Sequence, residues 1–154
     1  MEGYKVVEEV LSPSGKVTYS TMPMYKQISA DEIGGLKEYN PNGKGGIHSF
    51  QSLEDAETWM CNFCVGYTYV RPVVFLVEIP DGTETFEKRY SGNDTYTSMV
   101  NKSEYVKFIK PLKYMVNRKL YEYSPMVRPE KKRQSGGFVY DEAAITGDVD
   151  YVSE

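Results

Sequence analysis

Gly45-Gly46-Ile47-His48-Ser49-Phe50, running on through Gln51-Ser52-Leu53-Glu54-Asp55-Ala56 to the apolar stretch Val73-Val74-Phe75-Leu76-Val77-Glu78-Ile79-Pro80, decides the fold class of this chain. Two glycines lead into a strand start at Ile47. Ser52 is placed to cap a helix whose third residue, Asp55, returns the bond. Leu53, Ala56, Trp59, Met60 and Phe63 then recur at helical spacing, so the helix is expected over about residues 52–64 with one apolar face. On that face Trp59 reads as a core anchor. The apolar run after it reads as a strand, and Asp81-Gly82 is a favoured hairpin turn.

Upstream, Tyr4 to Leu11 reads as a first strand, Ser12-Pro13-Ser14-Gly15 as a turn, and Lys16 to Thr21 alternates with the period of a second strand. Ser29 with Glu32 repeats the capping pattern and predicts a short helix over about residues 29–39, weakened by Gly34-Gly35. Asn40 to Gly46 is a turn-rich loop. Downstream, Thr83 to Tyr90 has strand composition, and residues 95–123 alternate apolar or aromatic with basic residues, predicting one or two strands punctuated by Pro111 and Pro125. The expected fold is α+β: a mostly antiparallel, twisted sheet with one main and one minor helix packed on it. Residues 1–127 form the single domain, 128–137 a basic Gly/Ser linker, and 138–154 an acidic tail, either an added strand or disordered.

At 154 residues the chain is long enough to bury about two thirds of its unfolded surface without staples. No stretch approaches a membrane span and the first residues lack a leader pattern, so a cytoplasmic protein with no membrane partner is expected. Cys61 and Cys64 form a lone Cys-x-x-Cys toward the end of the helix. A structural zinc takes four such ligands and only His48 could join them, so no metal and no cofactor is expected. One buried and one accessible thiol is the plainer reading.

Net charge is −4, yet its distribution is uneven. Residues 102–133 hold ten of the eighteen Lys and Arg against three acids, and residues 134–154 hold five acids and no base. Lys107, Lys110, Lys113, Arg118 and Lys119 are interleaved with Tyr105, Phe108, Tyr114 and Tyr121, a mixture suited either to phosphates and stacked bases or to the solvated face of a half-buried sheet. A nucleic-acid-binding module over residues 102–133 is one functional alternative. Lys44 and Gly45 sit in a glycine loop whose backbone could cradle phosphate, although it lacks Walker spacing. His48, the single histidine, follows two glycines that let a ligand approach closely.

From Tyr4 to about Leu112 the chain resembles a family of small phage and bacterial domains. The matching motifs are Tyr-Lys-Val-Val at Tyr4 to Val7, Gly-Lys-x-x-x-Ser at Gly15 to Ser20, and the pair Tyr25-Lys26. Two longer ones follow: Gly-Gly-Ile-x-x-Phe-x-Ser-x-Glu-Asp-Ala at Gly45 to Ala56, and Glu-x-Pro-x-Gly at Glu78 to Gly82. The resemblance implies a phage-type accessory protein in the host cytoplasm. Such a protein acts by binding a host protein or an anionic nucleotide ligand and counteracts host antiviral defence. Tyr4, Lys5, Lys44, Gly45 and His48 are its candidate ligand-binding residues, and the five bases from Lys107 to Lys119 its candidate anionic-partner surface. The same element order is similar to the core of the ADP-ribosyltransferase-like fold. That likeness implies the alternative of an NAD-using enzyme with Tyr4, His48 and a late Glu (Glu84, Glu87 or Glu104) as site residues.

Overall fold

The computed structural model describes residues 1–21, 27–29, 37–39, 47–91 and 95–126. Among them are ten strands and one helix: β1 Glu2–Leu11, β2 Val17–Thr21, β3 Gln27–Ser29, β4 Lys37–Tyr39, β5 Ile47–Phe50, α1 Leu53–Phe63, β6 Val70–Glu78, β7 Glu84–Ser91, β8 Thr95–Ser103, β9 Tyr105–Val116 and β10 Lys119–Glu122. All ten belong to one sheet, every described pairing is antiparallel, and the main path runs β10-β9-β6-β1-β5-β8-β7. The α+β class with a mostly antiparallel sheet and a helix near residues 52–64 is therefore present. No helix among the described residues is long and apolar enough to cross a membrane.

Three long strands, β1, β6 and β9, make a spine whose two outer edges are each used twice. The outer edge of β1 pairs with β5 through Tyr4↔Phe50 and with β2 from Val7↔Thr21 to Leu11↔Val17. The outer edge of β9 likewise divides between β4 near Tyr105 and β10 near Met115. At Lys5 and Val6, between the two partners of β1, the sheet forks.

The sequence of β6 explains its central place. Val73, Phe75 and Val77 enter one core cluster while Val74 enters the other, so an unbroken apolar run is what a strand buried on both faces requires. The face that carries α1 is built from Val6, Phe50, Ala56, Met60, Val74 and Met115. Helix α1 starts where the sequence places it: the Asp55 amide donates to Ser52 Oγ at 3.1 Å. On the opposite face Val7, Tyr19, Phe75, Phe108 and Tyr114 close the second core.

A buried charged group lies in that second core. Glu9 and Arg71 are cross-strand partners and neither side chain is exposed. Arg71 Nε donates to Glu9 Oε1 at 2.6 Å, its terminal nitrogen donates to the Ser124 carbonyl, and its guanidinium lies 3.9 Å from the Tyr114 ring centroid. Tyr123 donates its hydroxyl to Glu9 Oε2 at 2.7 Å and meets the Tyr19 hydroxyl at 3.1 Å. Burial, followed by the Glu9 charge, pushes the Tyr123 phenol up to about 12 and moves Tyr19 in the same direction.

Five expectations are corrected. The helix expected over 29–39 fails at both ends, because Ser29 closes β3 and Lys37–Tyr39 form β4; residues 30–36 lie outside the described residues. Local capping signals are weak beside pairing with β2 and β9. Residues 95–123 hold three strands rather than one or two. Pro111 does not end a strand: it sits inside β9 where the register against β6 shifts, and a bulge frees a proline from the ladder bond it cannot make. Asp81-Gly82 does form a turn, with Gly82 at φ +76, but it leads away from β6 to β7, whose partner is β8, so it closes no hairpin. Trp59 is only half-buried, and Ala56 and Met60 are the fully buried residues of α1. The linker and acidic tail expected over 128–154 lie outside the described residues.

Gly3 is fixed by a close approach. A β-carbon there would lie 2.9 Å from Ser49 Oγ and 3.0 Å from Asn101 Nδ2, and Asn101 is fully buried, bonding Ser49 Oγ and the Phe50 carbonyl at 3.3 Å each. Gly3→Ala is expected to lower stability by about 1–3 kcal/mol in urea unfolding, since the displaced amide outweighs the gain in chain stiffness. Unchanged or higher stability would show that Ser49 and Asn101 can give way.

Candidate functional site: an aromatic cleft at the fork of the sheet

Strand alternation places Tyr4, Val6 and Glu8 on the α1 side of β1. Where β2 and β5 part, those side chains are left with a hollow above them. The result is a cleft of about 620 Å³, lined by β1, by His48, Ser49 and Phe50 of β5, by Lys88 and Tyr90 of β7, by Val100 of β8 and by Trp59 of α1. This is the size of a small-molecule site.

The lining rings Phe50, Trp59 and Tyr90 belong to a closed circuit that Phe63 completes from outside the cleft: Phe50 to Trp59 at 5.9 Å, Trp59 to Phe63 at 6.1 Å, Phe63 to Tyr90 at 5.9 Å and Tyr90 back to Phe50 at 6.1 Å. Tyr90 is further held by stacking on Tyr96 at 5.4 Å. Such rings offer flat apolar area with little rotamer freedom to lose on binding. Cations line the cleft as well. Lys5, almost fully buried, donates from Nζ to the His48 carbonyl at 3.0 Å, and Lys88 holds its ammonium 5.2 Å from the Tyr90 centroid. His48 keeps an exposed surface and packs edge-on against Phe86 at 5.3 Å. Withdrawal of one side of the ring from water, then Lys88, Lys5 and Lys102, lower its pKa. The imidazole is thus neutral near pH 7, able both to donate and to accept, in a field that favours an anion.

Of the candidate ligand residues, the cleft brings together Tyr4, Lys5 and His48. Lys44 and Gly45 lie outside the described residues. Glu84, Glu87 and Glu104 do not line the cleft, whose carboxylate is Glu8. The five bases of residues 107–119 are spread along β9 and its hairpin with β10. Lys107 stands opposite Glu78, Lys113 is tied to Glu57 of α1 at 3.2 Å, and Arg118 sits with Asn117 at positive φ in the turn before Lys119. Cys61 is half-buried and Cys64 buried. Burial, helped by Glu8 and Cys61, pushes the Cys64 thiol up to about 12, and burial with Glu57 raises Cys61, so neither forms a ready thiolate. Among the described residues no group of three or more His, Cys, Asp or Glu is placed to hold a metal.

Sequence reasoning missed Glu8, Lys88 and Tyr90 as site residues and gave Trp59, which packs partly buried against the core, no part in the cleft that it also lines. A period-two signal for the first three does exist, because Glu8 shares a face with Tyr4, and Lys88 and Tyr90 share one with Phe86. Comparison with family models, curated proteins and solved structures finds no match to this chain in any of the three, so the reading of the cleft rests on its own side chains.

Proposed function

We propose that the protein works by binding, and that its cleft takes an anionic ligand of the nucleotide class. The observation that supports this reading is a single cavity lined by Lys5, Lys88 and a neutral His48 together with Trp59, Tyr90, Phe50 and Tyr4. Phosphate oxygens are matched by the cations and imidazole N–H, and a base is matched by the rings. The resemblance to small phage domains supports the wider reading, an accessory protein that counteracts host antiviral defence by sequestering such a ligand.

A thermal-shift panel of mononucleotides, cyclic nucleotides, NAD and ADP-ribose tests it. A bound nucleotide at one hundred times its Kd should add about 2.7 kcal/mol to stability. Lys88→Gln should weaken that ligand about tenfold and flatten the salt dependence of its affinity, since one cation is withdrawn from a partly exposed site. No stabilisation by any member of the panel, or equal affinity in the variant, would remove the cleft as a nucleotide site.

A further inference from the structure

The cleft is electrically two-ended. At one end lies His48, on β5 level with Val6, with the Lys5 ammonium on its carbonyl and Lys88 close enough to depress it. Glu8 lies two residues beyond Val6 on the same face of β1, about 7 Å further along at the rise of an extended strand. Its cross-strand neighbours are Ser20 and Pro72, neither of which brings a cation to it. Its charge is instead felt at the end of α1, where it helps raise the Cys64 thiol.

A carboxylate is a pure acceptor. A ligand whose phosphate is held near His48 therefore reaches Glu8 only if its far edge presents N–H donors, because an acceptor lone pair there would meet the carboxylate uncompensated. The four common bases differ at that edge. Guanine presents N1–H and the N2 amine side by side, the pair that one carboxylate accepts with two oxygens. Adenine and cytosine each set a single amine beside an acceptor ring nitrogen, and uracil sets one N–H between two carbonyls. Resting on the nucleotide reading of the cleft, we infer that Glu8 makes it selective for guanine nucleotides, with the base against Trp59 and the phosphate toward His48 and Lys88.

Calorimetric titration of the full chain with GMP, AMP, CMP and UMP, for the wild type and for Glu8→Gln, tests this. The expected result is GMP bound at least about tenfold more tightly than AMP by the wild type, as befits hydrogen bonds to a charged acceptor. In Glu8→Gln that preference should fall to within about twofold while AMP binds as well or better. Equal GMP and AMP affinities in the wild type, a comparison that needs no folded variant, would overturn the inference and leave the nucleotide reading standing, as would a GMP preference that persists in Glu8→Gln. Failure of all four to bind would overturn the inference, and a thermal-shift panel that is silent as well would overturn the nucleotide reading with it.

Discussion

Arg71→Ala is expected to lower stability by about 3–5 kcal/mol, because it leaves the Glu9 carboxylate buried without its cation. Both side chains are wholly enclosed, so water cannot take over the lost bonds. Among the described residues Glu9 would keep the hydroxyls of Tyr123 and Tyr19, neither of them charged, the Ser124 carbonyl would lose the guanidinium donor, and the Tyr114 face would lose the cation above it. Arg71→Lys should rescue little, since one ammonium cannot serve both Glu9 and the Ser124 carbonyl with the fork that Arg71 supplies. The discriminating variant is the double substitution Glu9→Gln with Arg71→Met. It removes both charges, and it should recover more than half of the loss, because the penalty belongs to the orphaned charge rather than to the pair's net attraction. Urea unfolding of the three variants measures it. A loss below about 1 kcal/mol for Arg71→Ala would mean that Glu9 is solvated, contrary to its enclosure.

Phe75→Ala is expected to cost about 3–5 kcal/mol through the cavity it opens. Phe75 lies on the central strand β6, is fully buried, and stands edge-on to Tyr19 at 4.8 Å and to Phe108 at 5.4 Å, near-perpendicular in both cases. Those partners come from β2 and β9, so the ring joins both flanks of the spine and no single neighbour can move to refill the space. Phe63→Ala, where the ring is only half-buried at the end of α1, should cost distinctly less. Calorimetric unfolding of the two variants side by side settles the ranking, and an equal or reversed order would contradict the placement of the main core on β6.

Elements with a strong period or a well-formed stop were legible in the sequence. The β1–β2 hairpin follows from alternation around the Ser12–Gly15 turn, and α1 from the spacing of Leu53, Ala56 and Met60 behind a capping serine. The bounds of the helix expected over 29–39 rested on two residues of capping signal, and at both ends, Ser29 and Lys37–Tyr39, strand pairing with partners far away in the chain stands instead. The site was legible only in part. Tyr4, Lys5 and His48 stand beside glycines or at a strand start and draw attention locally. Glu8, Lys88, Tyr90 and Trp59 meet at one cleft because β1 touches β5 through a single pair and β5 leads through β8 to β7. No local pattern encodes that adjacency. Sheet alternation says which residues share a face, and strand order says which faces meet.

The double use of the outer edge of β1 bears on the time course of synthesis. At a ribosomal pace of about 5–20 residues per second, β2 emerges within about a second or two of β1 and can zip onto Val7–Leu11 by a short loop. The opposite edge has to wait for Val70–Glu78, which pairs with β1 from Glu2 to Val10. For several seconds the nascent hairpin thus presents Val6-Val7-Glu8-Glu9-Val10 with one ladder unfilled, in a segment where Glu8 and Glu9 interrupt the apolar residues. Those two carboxylates then act as gatekeepers against pairing with a neighbouring nascent chain. The same side chains that serve the finished molecule, one in the cleft and one in the buried network, guard it before either place exists.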